Sequence, residues 1–68
     1  MAEIPKAPVV RIVKDAGAER ISEEAGVALV DAVEAYTNRL AEACIDLAQH
    51  ADRKTIQPAD VEVALKHF

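Results

Sequence analysis

Apolar residues recur at helical spacing through most of the chain, in three runs parted by two short polar breaks. In the first run Val9, Ile12, Val13 and Ala16 return every three or four residues, which gathers them on one face of an α-helix. In the second, Leu29, Val33, Tyr36, Leu40, Ala43 and Leu47 step by alternating fours and threes, a continuous stripe. Val30, Ala41, Cys44, Ile45 and Ala48 widen that apolar surface beyond a single seam, while Asp31, Glu34, Asn38, Glu42, Asp46 and Gln49 take the opposite side. The pattern predicts a long helix that packs on more than one neighbour. Val61, Leu65 and Phe68 make the third stripe. No strand of useful length emerges, and the predicted class is all-α.

The breaks carry helix punctuation. Pro5 and Pro8 fit only the lead-in or first turn of helix one, because deeper they would remove a needed hydrogen bond. Gly17 is placed to end it as a left-handed C-terminal cap. Ser22 is a good N-cap for the long helix, and Glu23 and Glu24 complement its positive end. Gly26, inside the first turns, costs about 1 kcal/mol relative to alanine. The third helix is expected to start at Pro58 after a Gln57 cap, with Ile56 and Val61 as a hydrophobic staple.

Size then becomes informative. The 68 residues read as one small domain, 1–68. A chain of this length buries only about 60% of its unfolded surface, so a lone monomer would be marginal. The central helix, about 28 residues, would run about 42 Å, too long to be wrapped by its own chain. With one Tyr and one Phe the core must be aliphatic. A partner chain is the natural remedy, and an obligate dimer is expected.

Several chemistries drop out. A single cysteine, Cys44, allows no internal disulfide and reads as a small core hydrophobe. No apolar run approaches the roughly 20 residues of a membrane span, and the first residues lack a signal-peptide pattern. A soluble, cytoplasmic protein is expected. His50 and His67 are too widely spaced to form a metal pair, and no nucleophile–base–orienter set or glycine-rich phosphate loop is found. The expectation is no enzyme, no cofactor and no metal.

The net charge is −4, but it is unevenly spread. From Ser22 to His50 six acidic residues face Arg39 alone, a sum of −5, which leaves +1 for the rest. Lys6, Arg11, Lys14, Arg20, Arg53 and Lys54 all lie in the first helix or the breaks. Salt screens charges beyond roughly 8–10 Å, so a local basic patch can act within an acidic chain.

The segments Arg11-Ile12-Val13-Lys14-Asp15-Ala16-Gly17-Ala18-Glu19-Arg20-Ile21-Ser22 and Ala48-Gln49-His50-Ala51-Asp52-Arg53-Lys54-Thr55-Ile56 carry a resemblance that runs essentially end to end. The chain resembles an archaeal histone of the tail-less type. The resemblance implies a histone fold of short helix, loop, long helix, loop and short helix, intertwined as a head-to-tail dimer. The first loop of one chain would then lie beside the second loop of the other. It implies binding and wrapping of double-stranded DNA on the chromosome, through phosphate neutralisation and arginines set into the minor groove. By the same resemblance Arg20 is the minor-groove arginine, held by Thr55 across the paired loops. Arg53, Lys54, Arg11 and Lys14 would meet phosphates, whereas Lys6 and Lys66 read as solvated surface. Leu47, His50, Asp60 and Val63 match a dimer–dimer contact in which the histidine pairs with an aspartate of the neighbouring dimer, building tetramers or longer filaments. Arg53 would also anchor Asp60 within its own chain.

The departures point the other way. Family members commonly carry basic residues where this chain has Gly26, Asp46, Gln49 and Gln57. Weaker, more salt-sensitive DNA compaction is therefore expected. With some 6–8 phosphate contacts per dimer, the log–log salt slope would be about −5 to −7. The alternative is a protein whose main task is interaction, either as heterodimer partner of a paralogous histone or as a filament cap, with little DNA binding of its own.

Overall fold

The computed structural model describes residues 4–67; Phe68, expected to close the third stripe, lies outside them. Three helices follow in order, α1 (Lys6–Asp15), α2 (Glu23–His50) and α3 (Pro58–Lys66), and no strand occurs among the described residues. The all-α expectation holds. Packing divides into two units, residues 1–35 and 36–68, with the division inside α2.

In the first unit, Pro5 precedes α1 in extended conformation and Pro8 occupies the first turn. The helix ends on paired backbone bonds, Gly17 N–H to the Lys14 carbonyl (3.0 Å) and Ala18 N–H to that of Val13 (3.4 Å). This Schellman arrangement needs a residue at positive φ, and Gly17 supplies it at +124°. α2 begins as expected: the Ser22 hydroxyl accepts the Ala25 N–H at 3.1 Å. The unit buries Gly26 and Val30. A Cβ at Gly26 would stand 3.6 Å from Val10 Cγ2 and 3.0 Å from Lys6 Cδ, so the missing side chain lets α1 approach closely. The glycine expected only as a cost to the helix thus has a packing role.

The expected face of α1 is corrected. No α1 residue is buried, Ile12 keeps 67% of its surface exposed, and Ala16 is exposed too. Val9 and Val13, both expected on that face, are half-buried, and Val10 joins them.

In the second unit, α2 stops on a second Schellman arrangement. Asp52 N–H bonds the Gln49 carbonyl (3.0 Å) and Arg53 N–H that of Ala48 (2.8 Å). The left-handed position is taken by Asp52, at φ +58°, where glycine is usual. The core here is Cys44, Ala48 and Ala64, with one charged member, Asp60. Pro58 opens α3 after Gln57, as expected. Its stripe is corrected: Asp60 and Ala64 are buried, Val61 is half-buried, and Leu65 is exposed.

The two apolar faces of α2 differ in burial within the chain. Val30, Cys44 and Ala48, expected to widen the surface, are buried. Along the continuous stripe, Leu29, Val33 and Tyr36 are exposed and Leu40, Ala43 and Leu47 half-buried.

Candidate nucleic-acid interface

In the first unit, Arg11 and Lys14 are one helical turn apart on α1 and so share a face. Both are exposed. Gly17 reverses the chain, and Arg20 stands exposed in the loop just before the Ser22 cap, beside a half-buried Ile21. Lys6, expected as solvated surface, does something else. Its stem lies over Gly26 and its Nζ reaches the Glu23 carboxylate. Lys6 thereby offsets one of the two acidic residues at the start of α2. A further acidic residue, Glu34, is also engaged from within the chain: its Oε2 accepts the Ile4 N–H at 2.9 Å.

In the second unit the loop between α2 and α3 is built around Arg53 and Asp60. Arg53 donates from Nη1 to Asp60 Oδ2 (2.8 Å) and from Nη2 to Oδ1 (2.7 Å), a two-pronged pair. Nη1 also reaches the Thr55 carbonyl at 3.0 Å. Asp60 Oδ2 accepts the Gln57 N–H at 2.8 Å, so the same carboxylate secures the first turn of α3. Asp60 is only 5% exposed. Arg53, and after it the Gln57 N–H, hold its carboxyl down at about 2, against the smaller upward push of burial. Asp60 in turn raises the Arg53 guanidinium. Arg53 is therefore occupied within the loop, and Lys54 and Thr55 are its exposed neighbours. Beside the loop lies an open depression of about 250 Å³ lined by Ile45, Ala48, Gln49, Arg53, Lys54 and Ile56.

The residues expected at a dimer–dimer contact all belong to this second unit. Leu47 is half-buried and His50 exposed on the last turns of α2, while Val63 is exposed on α3. His50 Nδ1 lies 2.8 Å from the Asp46 carbonyl, which can only accept, so Nδ1 is the donor of this pair. Asp60 faces Arg53 in its own chain. Sequence reasoning missed the Lys6 contact and the left-handed Asp52. The first joins residues 17 positions apart, beyond any local pattern. The second did have a signal, because a short polar side chain tolerates that conformation.

Among the described residues no group of three or more His, Cys, Asp or Glu is placed to hold a metal ion, and no helix is long and apolar enough to cross a membrane.

Comparison with known proteins matches residues 2–65 to the family described as histone-like transcription factor (CBF/NF-Y) and archaeal histone. The chain belongs to this family. It is 50% identical over 66 residues to a probable archaeal histone 3 of Methanocaldococcus jannaschii, covering 97% of this chain and 98% of that one. It is 44% identical over 66 residues, with the same coverage, to one of the subunits of the archaeal histone HAN1 of Thermococcus zilligii. The three helices are those of a histone fold, and membership supports a DNA-packaging rather than an enzymatic role for this archaeal histone relative.

Proposed function

We propose that this histone-family chain binds and wraps double-stranded DNA without base specificity, as a head-to-tail dimer that assembles further on the duplex. The observation that carries the reading is the set of exposed cations on α1 and the two loops. Arg11, Lys14, Arg20 and Lys54 stand there, beside exposed Asp15, Glu19 and Asp52, while six of the twelve acidic residues lie on α2. In the dimer the first loop of one chain lies beside the second loop of its partner, so that Arg20 and Thr55 meet and Arg20 enters the minor groove. Arg11, Lys14 and Lys54 contact phosphates. Arg53, bound to Asp60 and the Thr55 carbonyl through three of its five donors, fixes the loop that carries Lys54 and Thr55 and presents its remaining donors to phosphate. The exposed side chains of Leu29, Val33, Tyr36, Ile45 and Ile56 favour a partner chain, since a soluble monomer rarely leaves so many large apolar groups open. Leu47, His50, Asp60 and Val63 form the contact between dimers. Such a protein acts in the cytoplasm, on the chromosome.

The test is nuclease protection of long duplex DNA by the purified protein, at low and near-physiological salt, beside Arg20→Ala. A regular ladder of protected fragments that Arg20→Ala abolishes is expected. No protection at low salt by folded, dimeric protein would favour the second reading, an interaction protein that pairs with a paralogous histone. The −5 of the segment from Ser22 to His50 and a relative named as one subunit of a histone support that alternative.

A further inference from the structure

α1 is the least secured element in its unit. At 10 residues it is shorter than the roughly 12–15 at which isolated helices become even marginally stable in water. Its own sequence helps little: Pro5 provides no side-chain cap, the first turn has no acidic residue, and no residue of the helix is buried. Within its own chain its place depends on contacts with α2. Two of these meet at Gly26, from Val10 and from Lys6 in the first turn. The Lys6 stem fills the space opened by Gly26, with Cδ and Cγ 3.0 and 3.4 Å from where a Cβ would stand. The Lys6 ammonium pairs with Glu23, and its side chain is only 33% exposed despite the charge. Just upstream, the Ile4 N–H is held by Glu34. Gly26 has an ordinary helical conformation, so backbone geometry does not require it; the space it leaves for Lys6 does.

We propose that Lys6 is a positioning residue for DNA binding. Seated on Gly26 and paired with Glu23, it clasps α1 to the start of α2, and so holds Arg11 and Lys14, five and eight residues further along, where they meet phosphate. The proposal rests on the proposed DNA contacts of those two residues. It gives Glu23 a role opposite to the one its charge suggests. As an acidic group near a phosphate-binding surface, Glu23 should oppose DNA; as half of the clasp, it favours DNA.

That opposition of sign supplies the experiment. Duplex affinity at low salt is measured for the full chain, for Lys6→Met, which keeps the aliphatic stem without the charge, for Glu23→Gln, and for the double variant. Amide hydrogen exchange of α1 and α2 is followed in each. The clasp predicts that both single variants bind about two- to fivefold more weakly, the range of a partly exposed ion pair, and that the double variant is no weaker than either. It also predicts faster exchange in α1 with the middle of α2 unchanged. Tighter or unchanged binding by Glu23→Gln, or unaltered α1 exchange in both single variants, would overturn it. Arg11→Ala separates the underlying reading. If that variant binds as well as the parent, the DNA role of α1 fails and the positioning role with it, and the α1 exchange data show whether the clasp itself was present.

Discussion

Asp60 does three jobs through one carboxylate: it receives Arg53 at two points, receives the Gln57 N–H, and occupies the core position beneath the loop. The two sets of hydrogen bonds need the ionised form. Its folded-state value is held at about 2, against about 3.9 in an unfolded chain. A depressed carboxyl contributes stability that is fully present above the unfolded value and is lost as pH falls through the folded one. Between pH 4 and pH 2 the protein should therefore lose stability in denaturant titrations, and Asp60→Asn should be less stable at neutral pH with a shallower loss over that acid range. An Asp60→Asn variant whose acid profile parallels the parent would assign the loss to other carboxylates. The same geometry fixes the Arg53 guanidinium in the loop, where its bonds to Asp60 and Thr55 use three of its five N–H donors.

The helix boundaries were legible because caps are local chemistry: Ser22 accepting the Ala25 N–H, Gly17 at positive φ and Pro58 opening α3 each depend on a few adjacent residues. The two C-terminal caps provide a paired prediction. Gly17 and Asp52 occupy equivalent left-handed positions, but only Gly17 does so without a side-chain penalty. Gly17→Ala should destabilise by about 1–2 kcal/mol and Asp52→Gly should stabilise by about 1 kcal/mol or less, both read from urea midpoints at constant m-value. Equal signs for the two would refute the shared role. Burial was less legible, for a reason visible in α2. Periodicity finds apolar faces but cannot say which neighbour covers each: it found both the Leu29–Leu47 stripe and the Val30, Cys44 and Ala48 side without telling which of them the chain itself buries. The loop cations were found from their residue types and from the family resemblance. The Lys6 contact with Glu23 became visible only in the fold, because it joins two elements, whereas the Arg53–Asp60 anchor was expected from the resemblance and the fold adds its two-pronged geometry.

At the scale of the whole molecule the question is how an acidic histone relative binds a polyanion, and the answer turns on which charges are free to act. The net −4 includes Glu23 and Glu34, both already engaged by α1 and its lead-in, and Asp60, cancelled by Arg53. The exposed cations of α1 and the loops are Arg11, Lys14, Arg20 and Lys54, four per chain and so about eight per dimer, set beside exposed Asp15, Glu19 and Asp52. Each phosphate neutralised releases condensed counterions, giving a log–log salt slope of about −0.9 per contact and about −7 for eight. Net charge does not enter that count; it enters the affinity at a given salt, through the repulsion of α2 from the duplex. The expected outcome is thus a slope of about −7 with weak binding at near-physiological salt, and Arg11→Ala, which removes two contacts per dimer, should bring the slope to about −5. Anisotropy titrations of one duplex across a salt series measure both. A slope near about −2 in the parent protein would mean that most of these cations do not reach phosphate. A parent slope near about −7 that Arg11→Ala leaves unchanged would remove Arg11 from the interface and shift the contacts toward the loops.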